Sequence, residues 1–489
     1  MLFNSFEFLF AFLPVVLVIY FLLNAMKVFR ISDFFLVGCS LFFYAWWNIS
    51  YLPILLTSLI VNFYMGKYLN HTQLVSKRKI ILVFGIFFNV VLLGIFKYLD
   101  FFVLNINTIL GSNLNLFHLA LPLAISFFTF QQIAYLVDCY KYETKKYNFI
   151  DYSLFVTFFP QLIAGPIVQH YEVLPQFKKE SNRSSNYLNI AKGIVIFTIG
   201  LFKKCVIADN FAIYATDGFR TASNLTFIES WITSLSYTFQ LYFDFSGYSD
   251  MAIGIALLFN ITLPINFNSP YKSLNIKEFW KRWHITLGRF LTTYLYIPIG
   301  GSKKGGTRTC INLLIIFLVS GFWHGAGWTF ILWGALHGIA SVIYRIWSNM
   351  NLKMSKLFAW FLTFNFVNMT WVLFRASNVE EALYIIKSMI GLNGFALPTN
   401  LQYFGDKAIH IGQVLNLRFT PFFIGTGKGI LQIVVMIILS LIVTTCINNS
   451  SEVLRKFRFT IPNALIITIM FIISILTFTK ISEFLYFNF

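Results

Sequence analysis

The chain has 489 residues, of which 57% are hydrophobic and only 11% are charged. A soluble protein of this length carries far more charge, so the composition excludes ordinary soluble enzymes and predicts a polytopic membrane protein. The formal net charge is +18, but the basic residues form no long run and lie in short stretches between apolar segments. This distribution is typical of cytoplasmic loops that contact anionic lipid headgroups, and it argues against a nucleic-acid partner.

The N-terminal part of the chain predicts a series of membrane spans. The first apolar stretch, MLFNSFEFLFAFLPVVLVIYFLL, has no basic start and no small-residue cleavage site, so we expect a retained span. Further spans are predicted near 32–48, 51–69 and 80–97, each long enough to cross a hydrocarbon core of ~30 Å. Basic clusters at 27–30 and 77–79 are expected in the cytoplasm, which places the N-terminus outside.

The following segments are less regular. Residues 98–112 are short and amphipathic, which favours an interfacial or re-entrant helix. A span near 118–139 carries Gln131 and Gln132, which we expect to hydrogen-bond to a neighbouring helix. The next stretch, FFPQLIAGPIVQHYEVLPQF, contains three prolines, so the backbone cannot form one continuous helix there.

The middle of the chain predicts three more helices. A span near 187–208 ends in a lysine pair, and helices over 227–242 and 248–263 are expected to be joined through QLYFDFSGYSD. Serine and aspartate favour a break at this joint because their side chains compete for backbone hydrogen bonds, and glycine is a weak helix former. Asp244 in this joint has two interpretations: a helix-end cap, or an acid that orients a catalytic imidazole.

Residues 274–296 have the periodicity of an amphipathic helix that lies along the cytoplasmic face of the membrane. Their tryptophans fall on one face, Lys281, Arg282 and Arg289 fall on the other, and His284 lies at the border. The basic face is either a solvated surface or a guide that brings an anionic donor to an entrance. In the GGSKKGGT sequence that follows, the closing glycine is not followed by the lysine that a phosphate-binding loop requires, so the sequence predicts a surface turn.

The apolar stretch that begins at 311 contains two histidines, His324 and His337, each before the closing glycine of a GxxxG pattern (GFWHG and GALHG). Small residues at this spacing let neighbouring helices approach closely, so either ring should be tightly enclosed. In one straight helix the rings would lie ~20 Å apart, whereas a break at the glycines of WHGAGW would change that geometry. Each ring is either a hydrogen-bonded packing residue or a functional group.

Several long motifs resemble those of the membrane-bound O-acyltransferase family, in particular its bacterial subgroup that O-acetylates exported polysaccharides such as alginate and peptidoglycan. The matching blocks cover much of 126–377 in order: SFFTFQQIAYLVDCYK, FPQLIAGPIV, LYFDFSGYSDMAIG, NFNSPYKSLNIKEFWKRWHITLGRFL, YLYIPIGG, GFWHGAGWTFILWGALHG and WVLFRA. Because the match joins several long motifs in sequence order, it is specific.

The expected fold is all-α: a polytopic integral membrane protein with roughly 11 to 13 transmembrane or re-entrant helices and amphipathic helices on the cytoplasmic side. The resemblance implies that these helices enclose a tunnel. We expect a single membrane domain over 1–489, with N-terminal spans in 1–125, an acyltransferase core in 126–377, and helices and a long loop (392–427) in 378–489.

The resemblance also implies an activity and a set of site residues. The family's active-site histidine, in the WHG motif, matches His324, while His284 and Asp244 match other motif positions. The implied reaction moves an acetyl group from cytoplasmic acetyl-CoA to an extracytoplasmic cell-wall or secreted polysaccharide, directly or through a periplasmic acetyltransferase partner. The implied location is the bacterial inner membrane, and neither a metal nor a tightly bound cofactor is expected.

In this interpretation His324 is a general base for the acceptor hydroxyl, and Trp323 and Trp328 exclude water from the thioester. Lys281, Arg282 and Arg289 are the candidate donor-binding residues. Two alternatives remain open: a transporter or flippase, which can also contain broken helices and intramembrane polar groups, and a non-catalytic membrane subunit of a polysaccharide-modification complex.

Overall fold

The computed structural model of this chain describes all residues except 145–146, 351, 399–417, 421–429, 479–484 and 486–489. The described chain is built almost entirely from helices, because long apolar runs satisfy their backbone hydrogen bonds within each helix. In the first half the helices are, in order, α1 (Phe8–Ala25), α2 (Phe29–Ala45), α3 (Ile49–His71), α4 (Val75–Leu110), α5 (Ile125–Tyr140), α6 (Phe149–Thr157), α7 (Phe159–Leu162), α8 (His170–Lys178), α9 (Tyr187–Phe202) and α10 (Asp209–Arg220).

The second half continues the bundle. Its described helices are α11 (Phe227–Leu258), α12 (Ile276–Arg282), α13 (Ile285–Leu291), α14 (Gly306–His324), α15 (Trp328–Asn349), α16 (Lys356–Arg375), α17 (Val379–Met389), α18 (Ile430–Cys446), α19 (Ser450–Lys456) and α20 (Ile461–Leu476). Two three-residue strands, β1 (Ala396–Pro398) and β2 (Arg418–Thr420), pair in parallel within the predicted 392–427 loop, most of which lies outside the described residues.

Among the described residues, six helices are long and apolar enough to cross a membrane: α1, α3, α4, α14, α15 and α16. The pair α18 and α19, bent by 58°, would form a seventh span. The expected multi-pass, essentially all-helical membrane protein is therefore confirmed. The count of roughly 11 to 13 transmembrane or re-entrant helices and the enclosed tunnel stay predictions.

Helix α4 differs from the prediction for this region. It runs for 36 residues and includes a π-helical turn at Gly94–Tyr98, so residues 98–110 continue the same helix and the separate interfacial helix is wrong. At 1.5 Å per residue α4 is ~54 Å long, well beyond a ~30 Å hydrocarbon core. It ends where Gly111 takes a left-handed conformation with φ of 61°.

The predicted break in QLYFDFSGYSD is also wrong, because α11 is a single 32-residue helix. Its glycines lie against α9: a Cβ at Gly247 would be 2.7 Å from the carbonyl oxygen of Gly200, and one at Gly254 would be 2.7 Å from that of Gly193. The small residues therefore permit close helix packing, and this packing outweighs their local tendency to break a helix.

The lysine pair that was expected to end the preceding span lies inside the bundle instead. Lys203 and Lys204 begin a π-helical turn that leads from α9 towards α10. Lys203 Nζ lies 2.7 Å from Asp250 Oδ2, and Lys204 Nζ lies 2.7 Å from Asp244 Oδ1. Lys204 also pairs with Asp209 at the start of α10, at 2.8 Å, so carboxylates inside the bundle neutralise both lysines.

Two other expectations are confirmed. Gln132 of α5 accepts a hydrogen bond from the Tyr152 hydroxyl at 3.1 Å and donates to Ser58 Oγ of α3 at 3.0 Å, so it joins neighbouring helices. The proline-containing stretch after 157 is broken into the four-residue α7 and the nine-residue α8. These breaks bring irregular backbone into the interior of the bundle, where protein covers it.

Candidate active site

Helices α14 and α15 form a hairpin that places His324 at a helix end. Helix α14 ends at His324, the backbone is extended at Gly325 and Gly327, and α15 begins at Trp328. A Cβ built on Gly321 would lie 3.1 Å from the Cα of Gly334, so the two helices are in close contact. The expected close approach is confirmed, and of the two geometries left open for 321–338 the structure has the break after His324.

The His324 ring is buried, with 3% of the residue exposed. Aromatic rings surround it: the centroid distances are 4.8 Å to Trp323, 5.2 Å to Trp333 and 5.1 Å to Phe374. Its Nδ1 has no hydrogen-bond partner among the described residues. Buried polar atoms almost always have a partner, so this nitrogen is a candidate for proton transfer with a bound substrate.

His284 interrupts the amphipathic segment that was predicted as one helix. It has a left-handed backbone conformation with φ of 44°, so α12 ends before it and α13 begins after it. Its Nδ1 lies 3.1 Å from Asn266 Oδ1, which also accepts hydrogen bonds from the backbone N–H and the hydroxyl of Thr286. Because Asn266 Oδ1 accepts, His284 Nδ1 carries the proton, and this bond fixes the tautomer.

His284 lies outside the candidate membrane spans but is buried, with 1% of the residue exposed. Burial lowers the pKa of its imidazole to about 3, so the ring is neutral at physiological pH. The ring centroid lies 6.3 Å from that of Trp323, which is also 4.8 Å from the His324 ring. The structure therefore brings His284 and His324 together around one indole.

His337 has a different environment although its sequence pattern is the same. Its Nδ1 accepts a hydrogen bond from Trp280 Nε1 at 3.2 Å, and its Nε2 lies 3.0 Å from the Thr370 hydroxyl. Both ring nitrogens are thus engaged by protein groups. This geometry favours the packing interpretation for His337.

Asp244 lies in the middle of α11, so its interpretation as a helix-end cap is wrong. Its carboxylate pairs with Lys204 at 2.7 Å and accepts a hydrogen bond from the backbone N–H of Leu485 at 3.1 Å. The neighbouring Phe245, not the carboxylate, contacts the His284 ring, with a centroid distance of 4.8 Å. The structure does not bring Asp244 into hydrogen-bonding contact with either histidine.

A cavity of about 700 Å³ lies beside His284, and His324 is not among the described residues that line it. His284 lines it, and so does Ser320, which is one helical turn before His324 on α14. Four basic residues line it as well: Lys277, Lys281, Arg289 and Arg345. The cavity therefore connects a positively charged region with the neighbourhood of the candidate catalytic ring.

The three basic residues predicted to bind the donor differ in their surroundings. Lys281 is exposed and lines the cavity. Arg289 also lines it but forms a two-point ion pair with Glu172, at 2.5 and 2.8 Å. Arg282 does not line it and pairs with Glu278 at 2.9 Å. Lys281 is therefore the member of this set that is best placed to meet an anion.

The two tryptophans that were expected to exclude water also differ. Trp323 is buried and its indole stacks on Phe130, with a centroid distance of 5.0 Å. Trp328 is 56% exposed, and its Nε1 donates to Asn105 Oδ1 at 3.0 Å. The structure brings Trp323 to the imidazole and places Trp328 at the surface of the helix pair.

Two residues near the site were missed by sequence reasoning. Arg345 lines the cavity from α15, four residues after Ser341, which also lines it; this i, i+4 spacing was the available signal. Lys97 of α4 donates to the carbonyl oxygen of Trp323 at 2.5 Å and to Ser126 Oγ at 3.2 Å. Its signal was an isolated cation inside an apolar run, which is a functional candidate by default.

An enclosed imidazole near a basic cavity in a multi-pass membrane bundle suits a membrane acyltransferase, and the family match identifies that class. The chain belongs to the membrane-bound O-acyltransferase family, whose family model matches residues 41–380. The prediction that the protein is an O-acyltransferase enzyme is confirmed by this match and by its named relatives.

The curated relatives include cell-wall and polysaccharide enzymes. The chain is 47% identical to a peptidoglycan O-acetyltransferase of Helicobacter pylori, over 100% of this chain and 98% of that protein. It is 38% identical to the probable alginate O-acetylase of Pseudomonas aeruginosa, over 81% of this chain and 76% of that protein. A more distant relative, 26% identical over 50% of this chain and 66% of that protein, is the teichoic acid D-alanyltransferase of Bacillus subtilis.

Proposed function

We propose that this protein transfers an acetyl group from cytoplasmic acetyl-CoA across the bacterial inner membrane for O-acetylation of an extracytoplasmic cell-wall or secreted polysaccharide. The transfer is direct or passes through a periplasmic acetyltransferase. Relatives named for the O-acetylation of peptidoglycan and alginate support this class of acceptor. The observation that carries the proposal is the buried His324 ring, whose Nδ1 lacks a partner in the described chain.

The donor site in this proposal is the 700 Å³ cavity. Coenzyme A carries phosphate groups at one end and the thioester at the other. Lys277, Lys281 and Arg345 line the cavity, and none of them forms an ion pair among the described residues. These cations bind the phosphates, and the thioester extends towards Ser320 and His284.

The chemistry assigned to His324 is general base catalysis. The imidazole takes the proton of the acceptor hydroxyl while the hydroxyl oxygen attacks the thioester carbonyl carbon. The carbon–sulfur bond then breaks, and the thiolate of coenzyme A leaves and recovers the proton. The surrounding rings of Trp323, Trp333 and Phe374 exclude water, which would otherwise hydrolyse the thioester.

His284 supports this reaction without changing charge. Its tautomer is fixed by Asn266, and its buried ring stays neutral. Because it lines the cavity and contacts Trp323, it lies between the donor site and His324. We assign His284 to the orientation of the thioester, and we give Asp244 a structural role as the partner of Lys204.

The test uses purified protein with acetyl-labelled CoA and a soluble polysaccharide acceptor. The wild type should place label on acceptor hydroxyls, whereas His324→Ala should lose this transfer by about 10³-fold or more. His71→Ala, at an exposed histidine at the end of α3, is the matched control and should behave as the wild type.

Acetyl transfer that persists in folded His324→Ala would overturn the catalytic assignment. In vesicles, movement of intact acetyl-CoA across the membrane without labelled hydroxyls would instead identify a transporter. Transfer that appears only when a separate enzyme is added, and that is insensitive to His324→Ala, would identify a non-catalytic subunit.

A further inference from the structure

Lys97 is a basic residue within an apolar helix, beside the end of α14 that carries the candidate catalytic residue. It belongs to the π-helical turn of α4, and its Nζ bonds to the carbonyl oxygen of Trp323 and to Ser126 Oγ. Both partners are neutral oxygens. A lysine in such a helix is costly to bury, so its position requires a compensating interaction with a specific partner.

The partner is the C-terminal end of α14. The last carbonyl groups of a helix accept no hydrogen bond from within the helix, and together they carry a partial negative charge. Lys97 donates a hydrogen bond to the carbonyl oxygen of Trp323 at 2.5 Å, and the Tyr98 hydroxyl donates one to the carbonyl oxygen of Phe322 at 2.7 Å. Two adjacent side chains of one π-turn thus hold two adjacent carbonyls of α14.

These contacts act directly on the backbone that carries His324. The Trp323 carbonyl belongs to the peptide bond that joins Trp323 to His324, so the Lys97 contact fixes the plane of that peptide. Beyond His324 the backbone is extended at Gly325 and Gly327, and α14 supplies no further helical turn to hold the ring. The peptide that carries the imidazole is therefore anchored from outside α14, in addition to the packing of aromatic rings around the imidazole.

We propose that Lys97 is a positioning residue for acyl transfer, which sets the orientation of the His324 imidazole by anchoring the last peptide of α14. This proposal rests on the catalytic role assigned to His324. It adds that α4, which contributes no group to the donor cavity, controls the rate of the chemical step. The Lys97 amine is matched to the negative end of the α14 dipole, whereas Tyr98 supplies a neutral hydrogen bond to the same end.

Lys97→Met removes the donor and the charge but keeps most of the side-chain length. It should lower kcat by about 10- to 100-fold, because a displacement of about 1 Å at the reacting group has this effect. The KM for acetyl-CoA should change less than about 2-fold, since the cavity residues are untouched. Lys97→Arg keeps the cation and should recover at least about 5-fold of the lost kcat.

Two matched controls frame this result. Tyr98→Phe removes only the neutral hydrogen bond to Phe322 and should reduce kcat by less than about 5-fold. Lys79→Met, at an exposed lysine near the start of the same helix, should leave kcat and KM unchanged.

The outcomes separate this proposal from the proposed function. An active His324→Ala enzyme overturns the catalytic role of His324, on which this proposal rests. An inactive His324→Ala enzyme together with wild-type kcat in Lys97→Met overturns the role of Lys97 alone. Equal losses of kcat in Lys97→Met and Lys97→Arg, or a rise in KM that accounts for the loss, also overturn it. If Lys97→Met is not recovered folded, Lys97→Gln takes its place, and wild-type kcat in that variant counts against the role.

Discussion

His324 and His337 occupy the same sequence pattern, GxxH before a closing glycine, yet their surroundings differ. His337 uses both ring nitrogens, towards Trp280 and Thr370, whereas His324 has an unpartnered Nδ1 in the described chain. Both rings pack against Trp333, with centroid distances of 5.2 Å for His324 and 4.8 Å for His337. Burial and aromatic packing are therefore alike for the two histidines, and the hydrogen bonds of the rings separate the proposed catalytic histidine from the other one.

Removing the two imidazoles one at a time is the most direct test of whether His324 and His337 have different roles. His324→Gln should reduce kcat by about 10³-fold and leave the melting temperature close to that of the wild type, because its Nδ1 gives up no protein partner. The measurement is acetyl transfer alongside thermal unfolding in the same detergent. A large fall in melting temperature for this variant would show that His324 is structural after all.

The reciprocal variant is His337→Leu, which leaves Trp280 Nε1 and the Thr370 hydroxyl without their partner. It should lower the free energy of unfolding by about 1–3 kcal/mol, with kcat of the folded enzyme within about 3-fold of the wild type. Thermal unfolding and the kcat of a monodisperse fraction measure the two effects. A loss of kcat as large as that of His324→Gln would erase the difference between the two histidines.

His284 should make the folding stability of the protein depend on pH. Its pKa is lowered from an ordinary value near 6.5 to about 3 in the folded protein, so the stability it contributes is complete above pH ~6.5. That stability declines as pH falls, because the unfolded chain binds the proton first. Between pH 7 and 5 the wild type should lose up to about 2 kcal/mol more than His284→Gln. Parallel melting curves for the two proteins over this range would contradict the burial effect.

The smallest expected effect concerns the basic residues near the cavity. Lys281→Glu reverses a charge that lines the cavity and should raise the KM for acetyl-CoA by about 5- to 10-fold with little change in kcat. Arg282→Glu, outside the cavity and beside Glu278, should change KM less. Initial rates at low and high ionic strength test this pair, since salt should reduce the difference. Equal KM values for both variants would remove Lys281 from the donor site.

Much of the scaffold could be predicted from sequence, because a run of apolar residues indicates that its segment is buried without any knowledge of the rest of the chain. The multi-pass helical fold and the broken stretch after 157 followed from composition and prolines, whereas the glycines of WHGAGW left open whether the helix ends after His324. The unbroken α11 did not follow, since its glycines serve contacts with α9 that lie about 50 residues away in the chain.

The candidate site was predicted in part for a similar reason. His324 and His284 lie in recognisable motifs, and the structure places both around Trp323. Lys97 reaches the site because α4 packs beside α14, and Arg345 reaches it because α15 packs beside α12. Local periodicity in the sequence does not show which helices are neighbours. Likewise, the charges of Arg282 and Arg289 suggested donor binding, but their partners Glu278 and Glu172 become visible only in three dimensions.

The two buried ion pairs between α11 and the turn after α9 have a consequence for how the chain enters the bilayer. Asp244 and Asp250 lie on one helix, and their partners Lys204 and Lys203 lie on the other. Lys204 has a second partner, Asp209, on its own side of the pair at 2.8 Å, whereas Asp244, Asp250 and Lys203 form their ion pairs across the two helices. Either helix alone would therefore carry uncompensated charge into hydrocarbon, and we expect the two helices to enter the bilayer together.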